Sequence, residues 1–86
     1  MYKVGDAVFD SKYDALIYGV QQLLTKLSIH YDMNIMPCVI ENNETQEMIM
    51  VMPAKLIEII DTYMEMHNTK CQDAIRYFQS NPCELL

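Results

Sequence analysis

The chain has 86 residues, of which 51% are hydrophobic, and its formal net charge at neutral pH is −6. This length predicts one domain spanning residues 1–86, and the apolar content argues against a disordered chain. Twelve acidic residues against six basic ones argue against a nucleic-acid partner, because binding to a phosphate backbone depends on Lys and Arg side chains.

The first predicted elements are extended chain over residues 2–9 and a helix over residues 10–28. Gly5-Asp6 interrupts the extended segment and predicts either a tight hairpin turn or a bulge in one strand. Ser11 followed by Asp14 predicts the N-terminus of the helix. An amphipathic helix with one buried face is expected, since its large apolar residues share one arc: Tyr13, Leu16, Ile17, Val20, Leu23, Leu24 and Leu27.

A β-hairpin is predicted from two apolar runs, residues 35–41 and 46–52, which flank the polar loop NNET. Pro53 ends the second strand at a position where a helix can begin.

Two further helices are predicted after the hairpin, over residues 54–67 and 70–80. Asn68 can end the first of them, and Thr69 with Gln72 has the spacing of a capping box for the second. The predicted order is β-α-β-β-α-α. This is an α+β fold, a short and mainly antiparallel sheet with a central hairpin packed against amphipathic helices.

Both sides of the predicted hairpin are apolar. Met48, Met50 and Met52 lie on one side of their strand, and Ile49 and Val51 lie on the other, because strand side chains alternate. Either the helices divide between the two faces of the sheet, or a second copy or another protein covers the open one. We favour a homodimer, with these residues as its self-association surface: Met36, Ile40, Met48, Met50 and Met52.

The eight methionines allow three interpretations. Most lie on the apolar arcs of the predicted elements, where the flexible thioether fills gaps in a core, and this is the interpretation we favour. An adaptable binding surface would use methionines as well. A Cu(I) site is the third interpretation, since thioethers and thiols are soft ligands.

No metal, cofactor or catalytic activity is predicted. His67 and Cys71 are four residues apart, but Asn68 breaks the helix between them and zinc needs four ligands. No motif pairs a nucleophile with a base, and two glycines are too few for a phosphate-binding loop. No apolar run approaches the ~20 residues of a membrane span, so no membrane association is expected. Three widely spaced cysteines predict reduced thiols and a cytoplasmic protein.

Glu58, Asp61 and Glu65 form an acidic ridge on the second predicted helix. The simplest interpretation is a solvated face, and the functional one is a surface for a basic partner. Tyr18 and Tyr77 lie on or beside polar arcs and are candidate contact residues.

These features together predict a small acidic intracellular module that binds another protein and acts by occlusion, as a homodimer. A regulator, an adaptor or an inhibitor fits this description, and so do the compact acidic inhibitors that phages and mobile elements encode. The alternative is a module that binds a small molecule in an apolar pocket between helices or subunits.

Overall fold

Two β-hairpins form one antiparallel sheet in the computed structural model, which describes residues 1–86. The first hairpin joins β1 (Tyr2–Val4) to β2 (Ala7–Phe9) through a turn at Gly5 and Asp6. Gly5 has a φ of 59°, a left-handed conformation that glycine adopts without strain. Of the two interpretations of this break, the hairpin is therefore the correct one.

The second hairpin joins β3 (Cys38–Asn42) to β4 (Met48–Val51). The strand order is β2-β1-β3-β4, so β3 pairs with β1 in the middle of the sheet and β4 forms one edge. In the register of this hairpin, Val39 lies opposite Met50 and Ile40 opposite Ile49.

Helix α1 (Lys12–Ile29) lies across one face of the sheet and contacts all four strands. The backbone N–H of Asp14 donates to Ser11 Oγ at 3.4 Å, which confirms the predicted N-terminus. Gly19 allows the close approach to the sheet, since a Cβ atom there would lie 3.2 Å from Cys38 Sγ.

The remaining helices pack on α1 and on each other rather than on the sheet. They are α2 (Pro53–His67), α3 (Cys71–Ser80) and a short 3-10 helix (Pro82–Leu85). Their shared core contains eleven buried residues: Val20, Leu23, Leu24, Leu27, Leu56, Ile57, Ile60, Ala74, Ile75, Phe78 and Leu85. The α+β class is thus confirmed, and the element order gains one strand to become β-β-α-β-β-α-α.

Two local predictions differ from the structure. Tyr13 is exposed, whereas Ala15 and Gly19 are buried, because α1 packs against the sheet on one side and the other helices on another. The capping box at Thr69 does not form, since Lys70 is the N-cap residue of α3. Gln72 instead donates its side-chain N–H to the backbone carbonyl of Ser28, 2.9 Å away, and so ties α3 to α1.

Candidate functional site

The sheet has one covered face and one uncovered face. Ala15 of α1 packs on the covered face against the buried side chains of Val4 and Ile40. The register of the strands places six other side chains together on the opposite side: Lys3, Val8, Val39, Glu41, Met48 and Met50. We call these six residues the open face.

Four apolar side chains of the open face are exposed. The exposed fraction is 49% for Val8, 39% for Val39, 63% for Met48 and 54% for Met50. Helix α1 packs on the covered face, and α2, α3 and the 3-10 helix pack on α1 or on each other. No other element of the chain therefore covers these side chains. An apolar surface of this kind is typical of a protein–protein contact.

Lys3 and Glu41 are the two charged residues of the open face. They lie directly opposite each other on β1 and β3, yet neither takes part in an ion pair of the chain. The open face therefore combines apolar side chains with one cation and one anion that are available to another molecule.

The predicted self-association residues do not all belong to this surface. Met48 and Met50 lie on the open face, Met52 is exposed just after β4, and Met36 is exposed in the loop before β3. Ile40 is a correction, because it is fully buried on the covered face beneath α1. Its side chain is not available to a second subunit.

The methionines are mostly outside the core. Seven of the eight are exposed, and only Met64 is half-buried. The interpretation of these residues as core fillers is therefore wrong. Flexible, polarisable thioethers at the surface are instead what an adaptable binding surface uses.

The acidic ridge of α2 is exposed along its length. Glu58, Asp61 and Glu65 are all exposed, and Asp61 accepts a hydrogen bond of 2.8 Å from the hydroxyl of Tyr31. The same hydroxyl lies 3.3 Å from the carbonyl oxygen of Ile57. Burial, together with this bond to Asp61, raises the pKa of Tyr31. Asp61 thus has a structural partner, whereas the carboxylates of Glu58 and Glu65 are free.

The two predicted contact tyrosines are engaged within the chain. Tyr18 is half-buried, and its ring centroid lies 5.1 Å from that of Phe9. Tyr77 is half-buried and stacks on Tyr63 with centroids 4.6 Å apart. Its hydroxyl donates to Glu84, which raises the pKa of Tyr77. The expectation that these two tyrosines are exposed is therefore wrong, and their role in partner contact stays a prediction.

The structure brings Glu58 together with Glu84 in a groove of about 310 Å³ between α2 and the C-terminal segment. The groove also contains the side chains of Tyr63, Met66 and His67. Glu84 was missed by the sequence reasoning, since the four residues after Pro82 have no periodicity that would place them beside α2.

A second groove, of about 280 Å³, lies beside β4. Nine of its ten lining residues are hydrophobic, among them Leu16 of α1, Val51 of β4, and Leu85 near the C-terminus. Lys55, at the start of α2, is the one charged residue in the lining. We call this the β4 groove.

No three side chains of His, Cys, Asp or Glu converge on a position that could hold a metal ion. Cys38, Cys71 and Cys83 are free thiols, and burial raises the pKa of Cys38 and Cys71, which lowers the thiolate fraction of both. None of the helices has both the length and the apolarity that a bilayer span requires.

The open face includes residues that sequence reasoning missed. Lys3, Val8 and Val39 were not assigned to any surface, although the alternation of residues 2–9 would have placed Lys3 and Val8 on one side of a hairpin. Comparison of the chain with family models, with curated proteins and with solved structures finds no match.

Proposed function

We propose that this chain is a small protein-binding module of the cytoplasm that acts by occlusion, as a regulator, an adaptor or an inhibitor, and that it works as a homodimer. The observation that supports this function most directly is the open face. It has four exposed apolar side chains that no other element of the chain covers. Burial of such a surface against another protein removes apolar area from water and favours association.

The composition of the open face suits a partner whose surface is not flat. Met48 and Met50 can change rotamer to fit it, whereas Val8 and Val39 are stiff at χ1 and give the surface two rigid contact points. Lys3 and Glu41 add one donor and one acceptor, which set the orientation of the partner.

The acidic ridge of α2 contributes charge rather than apolar area. Glu58 and Glu65 are exposed and free of ion pairs, and the chain as a whole has a net charge of −6. This field accelerates the approach of a basic protein surface and falls with added salt. The cytoplasmic location rests on the three free thiols, which persist in a reducing compartment.

The test is affinity capture from the native cell with three versions of the chain as bait. The first is the wild type, and the second carries Val8→Lys and Val39→Lys on the open face. The third carries Gln21→Lys and Gln79→Lys, which add the same charge at exposed positions of α1 and α3. We expect the wild type and the third bait to capture the same protein, and the second to capture at least tenfold less.

Equal capture by all three baits would contradict a role for the open face. Capture of no protein by the wild type above a bait of unrelated sequence would contradict the proposed function itself. A fourth bait with Glu58→Lys and Glu65→Lys tests the acidic ridge and leaves Asp61 to hold Tyr31. We expect it to bind the same partner several-fold more slowly at low salt.

The β4 groove favours a second candidate function, the binding of a small apolar molecule. Its volume of about 280 Å³ and its hydrophobic lining suit such a ligand, and Lys55 could pair with an acidic group on it. Thermal-shift screening with apolar carboxylic acids tests this function, because a ligand of the folded state raises the melting temperature. A screen without a shift would contradict it.

A further inference from the structure

We propose that the second copy of the chain joins at the free edge of β4, antiparallel to it, so that two four-stranded sheets become one sheet of eight strands. The two β4 grooves then meet on the same side of this sheet and form a shared apolar core. This inference rests on the homodimer of the proposed function and specifies the surface through which the two subunits meet.

The edge of β4 has unpaired backbone groups. The N–H of Asn42 donates to the carbonyl oxygen of Glu47, and in an antiparallel ladder the hydrogen-bonded pairs recur at every second residue. Ile49 and Val51 therefore bond to β3, whereas the N–H and C=O groups of Met48 and Met50 point away from it. No loop or helix bonds to those groups.

An edge of this kind is a template for another strand. Natural proteins usually protect a free edge with proline, a bulge or an inward-pointing charge, and β4 has none of these along its four residues. The other edge strand, β2, has only three residues and offers fewer bonds. Of the two edges of this sheet, β4 is thus the one suited to pairing.

The position of the β4 groove favours a second copy over an unrelated strand. Ile49 and Val51 line the groove from the covered side of β4, and Met50 and Met52 also contribute to its lining at the free edge. A two-fold axis perpendicular to the sheet places the covered sides of both copies on the same side of the joined sheet. The groove of each subunit then faces the groove of its partner, and apolar side chains of both subunits fill the space between them.

Charge complementarity supports the same arrangement. Antiparallel pairing brings the beginning of one β4 beside the end of the other, so that Glu47 of one copy lies near Lys55 of its partner. Both side chains are exposed, and neither forms an ion pair within the chain. Glu47 shares the side of Ile49 and Val51 by strand alternation, which is also the side of the groove that Lys55 lines. The symmetry repeats this contact, so each dimer has two such pairs.

The area of the open face argues against the other simple dimer, in which two sheets stack face to face. Four strands about 4.8 Å apart, with at most five residues at about 3.3 Å each, give a face of roughly 300 Å². A standard interface buries about 800 Å² on each partner. Edge pairing adds the contact area of the two β4 grooves, to which Met50 contributes, and leaves the rest of the open face free for the partner protein.

The first test separates the backbone of Met50 from its side chain. Met50→Pro removes the outward N–H and keeps the bonds between β3 and β4, because the N–H of residue 50 is not part of that ladder. Met50→Val keeps the N–H and changes only the side chain. Light scattering over a range of concentrations should give a dimer for the wild type and for Met50→Val. For Met50→Pro, with its circular dichroism unchanged, we expect a dissociation constant at least tenfold higher.

The second test is a charge swap. Lys55→Glu and Glu47→Lys, each alone, should weaken the dimer about fivefold, because each places two like charges together. The double variant restores opposite charges in reversed order and should regain most of the wild-type affinity. Because the double variant has the same composition and net charge as the wild type, this rescue does not depend on the stability of Met50→Pro.

The outcomes distinguish this inference from the function on which it rests. A dimer that neither Met50→Pro nor the charge reversals weaken would overturn the edge pairing and leave the homodimer in place. A chain that remains a monomer at all concentrations would overturn the homodimer and the edge pairing together, whereas protein capture through the open face would still support the binding module.

Discussion

The two halves of this molecule use their apolar residues in different ways. The helical half gathers eleven buried residues between α1, α2, α3 and the 3-10 helix, whereas the sheet contributes Val4 and Ile40 to a cluster of three that Ala15 of α1 completes. The sheet half instead leaves Val8, Val39, Met48 and Met50 exposed. The comparison indicates that the helical core supplies most of the stability, and it supports the proposal that the sheet presents a surface for association.

The largest expected effect is a truncation in the helical core. Leu24 is fully buried in the cluster of eleven, so Leu24→Ala should lower the free energy of unfolding by about 3 kcal/mol. Urea unfolding measures this loss. A value below about 1 kcal/mol would show that the helical core does not carry the stability assigned to it.

A smaller effect is expected in the covered face of the sheet. Ile40→Val removes one methylene group beneath α1 and should lower the free energy of unfolding by about 1 kcal/mol. It should leave the dissociation constant of the dimer unchanged, because this side chain is inaccessible to a second copy. A weaker dimer without loss of stability would return Ile40 to the interface.

The hydroxyl of Tyr31 links the loop before β3 to α2, and its effect depends on pH. Tyr31→Phe should cost about 1 kcal/mol near neutral pH, since the bonds to Asp61 and Ile57 are lost. The pKa of Tyr31 is raised in the folded chain, so the folded state holds its proton more tightly than the unfolded state. The contribution of Tyr31 to the free energy of unfolding is complete below the unfolded pKa of about 10 and falls as the pH rises above that value.

Urea unfolding of the wild type and of Tyr31→Phe at pH 7 and at pH 11 checks this sign. The difference between the two proteins should shrink at the higher pH. A difference that grows with pH would mean that the Tyr31 hydroxyl is not held by Asp61.

The smallest effect on stability is expected on the open face. Val39→Thr replaces one methyl group by a hydroxyl on an exposed side chain and should change the free energy of unfolding by less than about 0.5 kcal/mol. The same substitution should weaken capture of the partner protein. A loss of stability similar to that of Leu24→Ala would mean that the open face is covered in the protein as it exists in solution.

The sequence was sufficient for the three α-helices, the second hairpin and the fold class because each of these segments has its own period, whereas it left the break at Gly5-Asp6 open between a hairpin and a bulge. Apolar residues recur about every 3.6 residues in the helices and at every second residue in the strands. Pro53 and Asn68 mark the ends of α2. The hydrogen bond from the backbone N–H of Asp14 to Ser11 Oγ was also predictable, because it joins residues close in sequence. These features depend on neighbours in the chain and can therefore be read without knowledge of the tertiary structure.

The errors concern contacts between distant segments. Ile40 was grouped with the methionines of β4, but a shift of one residue exchanges the two faces of a strand, and the actual register places Val39 opposite Met50. The count of large apolar residues on α1 missed Ala15 and Gly19, whose small size is what allows the helix to approach the sheet. Leu85 is buried by α1, although its segment has no pattern of its own.

Hydrogen exchange at the edge of β4 tests the central claim most directly. The backbone N–H groups of Met48 and Met50 have no partner within the chain, so in dilute protein they should exchange quickly, while that of Ile49 is protected by β3. In concentrated protein we expect both methionine amides to exchange at least tenfold more slowly, as the second β4 pairs with them. Equal exchange rates at the two concentrations, with Ile49 protected throughout, would contradict a role for this edge in association.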